Sequence, residues 1–142
     1  MSNYCHLPGE PGGRPRPLRT LIVDDSAQLR EGLCDLLDNE PLVRVVGTAT
    51  DGCEALQKAA LLAPDLVLMD LHMPVMDGLQ ATVQLRCRLP NARIIIMTLA
   101  ERILAEAEAK QHGAHGFVEK GLLAKTLMTE IRRVCGLEPV KQ

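Results

Sequence analysis

The chain has almost no aromatic residues: one tyrosine, one phenylalanine and no tryptophan among 142 residues. Its core must therefore be aliphatic, and it lacks the aromatic platforms on which proteins stack single-stranded nucleic acid. The net charge is −2 with scattered basic residues, so the sequence predicts no direct nucleic-acid binding. No apolar run approaches the roughly 20 residues of a membrane span, and the first residues lack a secretory apolar segment.

Paired cysteines and nucleotide-binding motifs are missing as well. The five cysteines are an odd number, widely spaced and without a CxxC pair, which is typical of reduced thiols. Neither a P-loop nor a GxGxxG motif occurs, which disfavours a nucleotide-binding enzyme. The four histidines share no ligand spacing and predict no metal site among themselves. We therefore expect a cytoplasmic protein that does not contact membranes.

Proline and glycine are concentrated in residues 1–17, a stretch with too few apolar residues to bury the surface that folding requires. We predict a flexible tail there and a single domain over residues 18–136. Residues 137–142 are predicted to be a C-terminal tail or the start of a linker. The apolar content of 46% suits one domain with a sizeable core.

Short apolar runs alternate with amphipathic helical patterns from Thr20 onward. The runs predict five strands, at residues 21–23, 43–47, 66–69, 93–97 and 115–119. The run at 66–69 is apolar throughout, which predicts a strand buried on both faces of its sheet. Strict alternation of strand and helix predicts a parallel sheet between two helical layers, a (βα)5 three-layer α/β sandwich.

Capping residues mark the predicted helix boundaries. Ser26, Asp51 and Asp77 stand where a side chain can accept a hydrogen bond from the first turn of a helix. Glu54 follows Asp51 by three residues, which resembles a capping box. Gly113 is a natural left-handed end for the fourth helix. No long structureless loop is needed between these elements, which favours the assignment.

Chemically capable side chains follow four of the five predicted strands, at the point where each strand ends. They are Asp24 and Asp25 after the first strand, Asp70 after the third, Thr98 after the fourth and Lys120 after the fifth. The second strand ends in residues 47–49, which offer no charge. Because parallel strands bring their carboxyl ends to one edge, we expect the reactive groups to meet there. The uncharged second strand suits a flavodoxin-like order 2-1-3-4-5, with that strand outside.

Three carboxylates at one point repel one another, and at least one would have a raised pKa. A Mg²⁺ ion relieves that repulsion, since it favours a few carboxylates plus water. With the ammonium group of Lys120 and the hydroxyl of Thr98, such a site can cradle a phosphoryl group, with Asp70 as the nucleophile. Taken singly, each residue has a commonplace explanation as a cap, a turn former or a solvated side chain. The combination of residue types is what predicts the site.

Four stretches of the chain resemble the receiver domains of two-component response regulators, the CheY-like family. These stretches occur in the family's order and spacing, at residues 21–26, 70–78, 97–98 and 113–120. Finer features are similar to the NarL/LuxR-type subgroup, at residues 30–33, 45–47, 51–52 and 120–121. The resemblance extends from residue 18 to about residue 136.

The resemblance implies a role for each residue of the predicted site. Asp70 corresponds to the phosphoacceptor, and Asp24 and Asp25 to the acidic pair that holds Mg²⁺ together with Asp70. In the family, the backbone carbonyl two residues after the acceptor is also a metal ligand, and here that residue is His72. The lysine that pairs with the phosphate is then Lys120.

The resemblance also implies a switch and its partners. Thr98 corresponds to the switch hydroxyl and Phe117 to the switch aromatic residue on the fifth strand. A sensor histidine kinase would donate the phosphoryl group, and the surface of helix four, strand five and helix five would change. A homodimer would use that surface or helices one and five. Many receivers have a proline in a cis peptide after the lysine, whereas this chain has Gly121, so we expect that turn to be built differently.

The output of such a switch is open at this point. NarL/LuxR-type regulators carry a helix-turn-helix domain, which no residue after Gly136 can form. The chain is then either the receiver part of a transcription factor or a stand-alone receiver that signals by protein contact. A Mg²⁺-dependent phosphohydrolase is a third hypothesis, although such enzymes usually have a carboxylate where this chain has His72. A phosphorylation-independent binding module is the fourth. Under the receiver hypothesis the chain is not an enzyme beyond phosphorylation and dephosphorylation of Asp70.

Overall fold

Strands and helices alternate along the chain as the sequence pattern predicts. The computed structural model describes residues 16–99 and 102–137. The elements are β1 (Leu18–Val23), α1 (Ala27–Asp38), β2 (Val43–Ala49), α2 (Gly52–Leu62), β3 (Leu66–Asp70), α3 (Gly78–Arg88), β4 (Arg93–Thr98), α4 (Arg102–Gln111), β5 (Gly116–Glu119), a 3₁₀ turn (Lys120–Leu122) and α5 (Leu123–Val134). Residues 1–15 and 138–142, which make up most of the two predicted tails, lie outside the described residues. Both tails therefore remain predictions.

The five strands form one parallel sheet in the order β2-β1-β3-β4-β5. This order confirms the predicted flavodoxin-like fold, with β2 at one edge and β3 in the centre. Every residue of β3 is buried, as the uninterrupted apolar run predicts. Val23 pairs with Met69, and Asp70 pairs with Met97, so the carboxyl ends of the central strands lie side by side.

Side chains alternate between the two faces of the sheet and so build two cores. On one face, Ile22, Leu68 and Ile95 pack with leucine and isoleucine residues of α1 and α5. On the other face, Leu21 and Val67 join a cluster in which α2, α3 and α4 contribute buried alanines: Ala55, Ala59, Ala81, Ala105 and Ala109. Both cores are aliphatic apart from Phe117, as the shortage of aromatic residues requires.

Four strands are longer than the apolar runs predict, β3 and β4 by one residue each and β1 and β2 by more. β1 begins at Leu18 rather than residue 21, and β2 extends to Ala49. The extension of β1 includes the polar residue Thr20, which is fully buried. The Thr20 hydroxyl donates a hydrogen bond to the Leu18 carbonyl at 3.0 Å, which satisfies the hydroxyl inside the sheet.

The predicted helix caps are present, with one difference. Ser26, Asp51 and Asp77 each accept a hydrogen bond from the first turn of their helix. The Glu54 side chain, however, accepts from the Thr50 amide at 2.7 Å and not from Asp51, so the predicted reciprocal capping box is wrong.

A reciprocal box forms instead at the start of α3, where Asp77 and Gln80 exchange hydrogen bonds. After the carboxyl end of α4, Gly113 has a φ of 102°, as expected for a left-handed helix end. Within the described ranges, none of the helices has the length and apolar character needed to cross a membrane. The four described cysteines are free thiols.

Candidate functional site

The strand order brings the predicted groups to one edge of the sheet. Asp24 follows β1 and Asp70 ends β3, which are neighbouring strands. Thr98 ends β4, and Lys120 follows β5. β2 lies outside these four strands, in agreement with the lack of charge at its end. The carboxyl edge of the sheet therefore collects the residues that the sequence singles out.

Three carboxylates meet at the centre of this edge. One oxygen from each of Asp24, Asp25 and Asp70 lies within 4.8 Å of the other two. Asp24 and Asp70 are buried, with 0% and 2% of their surface exposed, whereas Asp25 is exposed. The cluster therefore has a buried floor and one side that is open to solvent.

Lys120 reaches both buried carboxylates. Its Nζ lies 2.8 Å from Asp24 Oδ2 and 2.9 Å from Asp70 Oδ1. Burial alone would lower the pKa of the Lys120 ammonium group, but the hydrogen bonds and charges of Asp70 and Asp24 outweigh this and raise its pKa. Lys120 therefore stays charged, and one positive charge faces three carboxylates.

Asp70 is a carboxylate of the cluster whose surroundings raise its pKa. Burial raises the pKa of its carboxyl group and the charge of Asp24 adds to that effect, although Lys120 and the His72 amide oppose it. Asp70 Oδ1 contacts Lys120 and accepts a long hydrogen bond of 3.3 Å from the His72 amide. Asp70 Oδ2 is buried and receives no hydrogen bond from the described part of the chain. A buried carboxylate oxygen without a donor marks a place for a cation or an electrophile.

The donor set fits a hard divalent cation. Carboxylate oxygens from Asp24, Asp25 and Asp70 are the ligands that Mg²⁺ prefers, and the exposed Asp25 leaves one side of the cluster open to water. His72 is close enough for its amide to bond Asp70, and its side chain is exposed, which leaves its backbone as the part that faces the cluster. The His72 carbonyl as a ligand stays a prediction.

Thr98 and Phe117, the two residues of the predicted switch, lie on the neighbouring strands β4 and β5. Thr98 is fully buried at the end of β4, directly after the residue that pairs with Asp70. Phe117 lies in β5 with 6% of its surface exposed and belongs to the core on the α2–α3–α4 face. The Phe117 amide donates to Glu130 Oε2 at 2.9 Å, which ties β5 to α5.

The turn after Lys120 differs from a cis-proline turn, as expected from Gly121. Lys120–Leu122 forms a single 3₁₀ turn that leads directly into α5. The described residues contain no cis peptide bond. Added side-chain atoms at Gly121 would meet nothing within 4 Å, so the turn does not depend on close packing there.

Arg30 is a site residue that the sequence reasoning missed. Its Nη1 donates to the Asp24 backbone carbonyl at 2.7 Å, while the Ser26 amide donates to Asp24 Oδ1 at 2.8 Å. Together they fix the loop that carries the acidic pair. The sequence feature that could have identified Arg30 is its place in the stretch 30–33, one helical turn after the Ser26 cap.

Gly78 is a second residue that the sequence reasoning did not single out. A Cβ atom there would lie 2.1 Å from the Asp70 carbonyl oxygen, a distance that no side chain tolerates. The Gly78 amide donates to the Leu71 carbonyl at 3.0 Å. The start of α3 therefore packs directly on the backbone of Asp70, which a glycine after the Asp77 cap makes possible.

Comparison with known proteins agrees with this geometry. A family model described as "response regulator receiver domain" matches residues 20–132. A protein-glutamate methylesterase/protein-glutamine glutaminase of Methanosarcina acetivorans is 39% identical over 123 residues, which cover 83% of this chain and 34% of that protein. The transcriptional regulatory protein LnrK of Bacillus subtilis is 36% identical over 117 residues, which cover 82% of this chain and 53% of LnrK.

Solved structures give the same result. The crystal structure of a LuxR-family two-component response regulator from Aurantimonas sp. SI85-9A1 superimposes with a TM-score of 0.80 at 32% identity. The superposition covers 87% of this chain and 89% of that one. The chain spans only part of the two curated relatives, so their full activities belong to those proteins. The match over residues 20–132 together with the flavodoxin-like sheet and its acidic edge shows that the chain belongs to the response regulator receiver domain family.

Proposed function

We propose that the chain is a phosphorylation switch that accepts a phosphoryl group on Asp70. The main support is the state of the Asp70 carboxylate, which is buried beside Asp24 with one oxygen held by Lys120 and the other without a donor from the described residues. A group held in this way is ready to bond an electrophile whose charge the surroundings can neutralise.

Asp24, Asp25, Asp70 and the His72 carbonyl would hold Mg²⁺. When bound, Mg²⁺ supplies positive charge that neutralises the carboxylates and the oxygens of the incoming phosphoryl group. The open side of the cluster, next to the exposed Asp25, gives the phosphoryl donor its access.

In the transfer step, a carboxylate oxygen of Asp70 forms a bond to phosphorus while the bond between phosphorus and the donor nitrogen breaks. The donor is a phosphohistidine of a sensor histidine kinase, whose imidazole leaves with the bonding electron pair. The Lys120 ammonium group, 2.9 Å from Asp70 Oδ1, pairs with a phosphoryl oxygen and so stabilises the acyl phosphate.

The switch follows from the position of Thr98 and Phe117. The buried Thr98 hydroxyl at the neighbouring strand end bonds the new phosphoryl oxygens, and the Phe117 ring rotates into the space that Thr98 leaves. Because the Phe117 amide is bonded to Glu130 of α5, movement of β5 alters the surface of α4, β5 and α5. A partner reads that surface.

The wider context is proposed on the same basis. The chain works in the cytoplasm, forms a homodimer through α4–β5–α5 or through α1 and α5, and regulates transcription when an output domain accompanies it. The alternative is a stand-alone receiver that acts by protein contact. We assign it no substrate turnover beyond phosphorylation and dephosphorylation of Asp70, because the residue two positions after Asp70 is an exposed histidine and not the acid–base carboxylate of a phosphohydrolase.

The test is phosphorylation by acetyl phosphate, followed by intact-mass spectrometry. In the presence of Mg²⁺ we expect the parent chain to gain one phosphoryl group and the Asp70→Asn variant to gain none. Addition of a chelator should abolish the gain in the parent. Equal labelling of the parent and Asp70→Asn, or labelling that ignores the chelator, would contradict the proposal.

A further inference from the structure

One close backbone contact attaches the loop that follows Asp70 to a second helix. The Gly52 amide at the start of α2 donates a hydrogen bond to the Met76 carbonyl, with 3.2 Å between nitrogen and oxygen. A Cβ atom on Gly52 would lie 2.6 Å from that oxygen and 2.8 Å from the Met76 Cβ and Cγ atoms. The lack of a side chain at Gly52 is therefore what lets α2 approach the loop this closely.

The same loop contains a strained turn. Val75 has a φ of 69°, in the left-handed region that β-branched residues avoid. The Met76 amide donates to the Pro74 carbonyl at 2.8 Å across Val75, which makes a three-residue γ-turn. The Val75 side chain is 80% exposed, so its own packing does not hold the turn, although Met73 and Met76 in the same loop pack against the core. Such a conformation persists where the surrounding structure holds it in place.

The Leu71 amide at the start of the loop donates to the Met97 carbonyl of β4 at 2.9 Å, and the other hydrogen bonds that hold the loop are local. The Gly78 amide closes the loop by donating to the Leu71 carbonyl, and the capping box of Asp77 lies at the start of α3 itself. The bond from Gly52 to Met76 differs from these because it joins the loop to α2, an element that the loop does not adjoin in sequence. The bond from Gly52 therefore holds the far end of the loop, at Met76, while the bond from Leu71 holds its near end against β4.

We propose that Gly52 is a positioning residue for the Mg²⁺ site. Together with the bond from Leu71 to Met97, it fixes the loop of residues 71–77 and with it the His72 carbonyl, and this inference rests on the proposed function. The end of β2 offers the site no charge. The connection between β2 and α2 nevertheless contributes to the site, because the Gly52 backbone amide holds the loop that carries His72. Alanine would favour the helix more than glycine does, so helix stability does not explain a glycine at this position.

The test compares Gly52→Ala with Gly32→Ala. Gly32 is a matched control because it lies in α1, where a Cβ atom would meet nothing within 4 Å. By calorimetry, we expect Gly52→Ala to weaken Mg²⁺ binding on the order of ten-fold, as when groups that support a metal ligand are altered. Gly32→Ala should bind like the parent. The phosphorylation rate of Gly52→Ala should recover at saturating Mg²⁺, which general structural damage would not allow.

Equal Mg²⁺ affinity in the two variants would overturn the inference, as would a rate that saturating Mg²⁺ does not restore. If Gly52→Ala does not fold, amide hydrogen exchange in the parent provides the test. The Gly52 amide should be protected, and Mg²⁺ should slow its exchange further. Exchange at one rate with and without Mg²⁺ would overturn the inference.

The outcomes separate this inference from the proposed function. A parent chain that neither binds Mg²⁺ nor takes up a phosphoryl group would contradict the proposed function itself. A parent that does both, with Gly52→Ala indistinguishable from Gly32→Ala, would leave the proposed function standing and overturn the role of Gly52.

Discussion

At the carboxyl edge of the sheet three carboxylates face one ammonium group, whereas at the amino edge the His115 imidazole has a protein group at each ring nitrogen. The Ile94 amide donates to His115 Nδ1 at 3.0 Å, and Arg86 Nη1 lies 2.9 Å from Nε2. Asp70 Oδ2, in contrast, is buried without a donor from the described residues. The difference is that a buried carboxylate oxygen at the carboxyl edge has no donor from the described residues, whereas His115 Nδ1 at the amino edge already accepts from a backbone amide.

The pKa shifts at the two edges reflect the same contrast. Burial, and then the charge of Asp24, raises the pKa of Asp70. Burial, and then the charges of Arg86 and Arg93, lowers the pKa of His115 to about 4. The surroundings favour the neutral form of both groups. A bound cation can stabilise the charged form of Asp70, whereas His115 is already neutral at pH 7.

The largest effect that we expect on stability is that of Gly78→Ala. Its Cβ would lie 2.1 Å from the Asp70 carbonyl oxygen, so α3 or the end of β3 must move. We expect a loss of roughly 3 kcal/mol in the free energy of unfolding. Urea denaturation measures it, with Gly32→Ala as the control that leaves stability equal or slightly higher. A Gly78→Ala variant as stable as the parent would show that the carboxyl edge is not packed as described.

A smaller effect distinguishes the two ends of β3. Without Mg²⁺, Asp70→Asn should raise the free energy of unfolding by on the order of 1 kcal/mol, because it removes a buried charge beside Asp24. Asp65→Asn is the matched change at the amino end, where Asp65 Oδ2 accepts from the Arg19 amide at 2.9 Å. We expect it to lower stability by about 0.5 kcal/mol. Urea denaturation in a chelating buffer compares them, and a shared sign would refute the contrast.

The pH dependence of stability should show an effect of the same order as that of Asp70→Asn. The folded pKa of His115, about 4, lies below its unfolded value near 6.5, so its contribution is complete above pH 6.5. That contribution is lost as the pH falls from about 6.5 toward 4. The raised pKa of Asp70 has the opposite sign, because protonation of the folded state then favours folding.

Removal of the titrating group at position 115 isolates the amino edge. His115→Asn keeps an acceptor for the Ile94 amide but does not titrate. Between pH 7 and 5 the parent should therefore lose more stability than His115→Asn, by an amount on the order of 1 kcal/mol, as thermal unfolding can measure. Parallel curves for the two proteins would show that His115 is not the group responsible.

The sequence was sufficient for the strand order and for the set of residues that meet at the carboxyl edge. Alternation of strands and helices fixes the parallel sheet, and the sheet then brings Asp24, Asp70 and Lys120 to one edge. The family resemblance adds roles for these residues that pattern alone does not supply.

The contacts that shape the site could not be predicted in the same way. The bond from Gly52 to Met76 joins residues on two different βα units, and its existence depends on how α2 lies against the loop. The spacing predicts a capping box at Asp51, whereas the box forms at Asp77. Spacing alone does not decide which backbone amide the side chain of Glu54 or Gln80 reaches. Such distances follow from packing rather than from residue order.

The most direct test of the contrast between the edges is amide NMR of the chain with Mg²⁺ and beryllofluoride, which takes the place of a phosphoryl group on the acceptor carboxylate. We expect large shifts at Asp70, Thr98 and Phe117 and much smaller shifts around Ile94 and His115. Asp70→Asn should show none of these shifts. Spectra that do not change, or changes centred on His115, would contradict the proposal that Mg²⁺ and the phosphoryl group bind at the carboxyl edge.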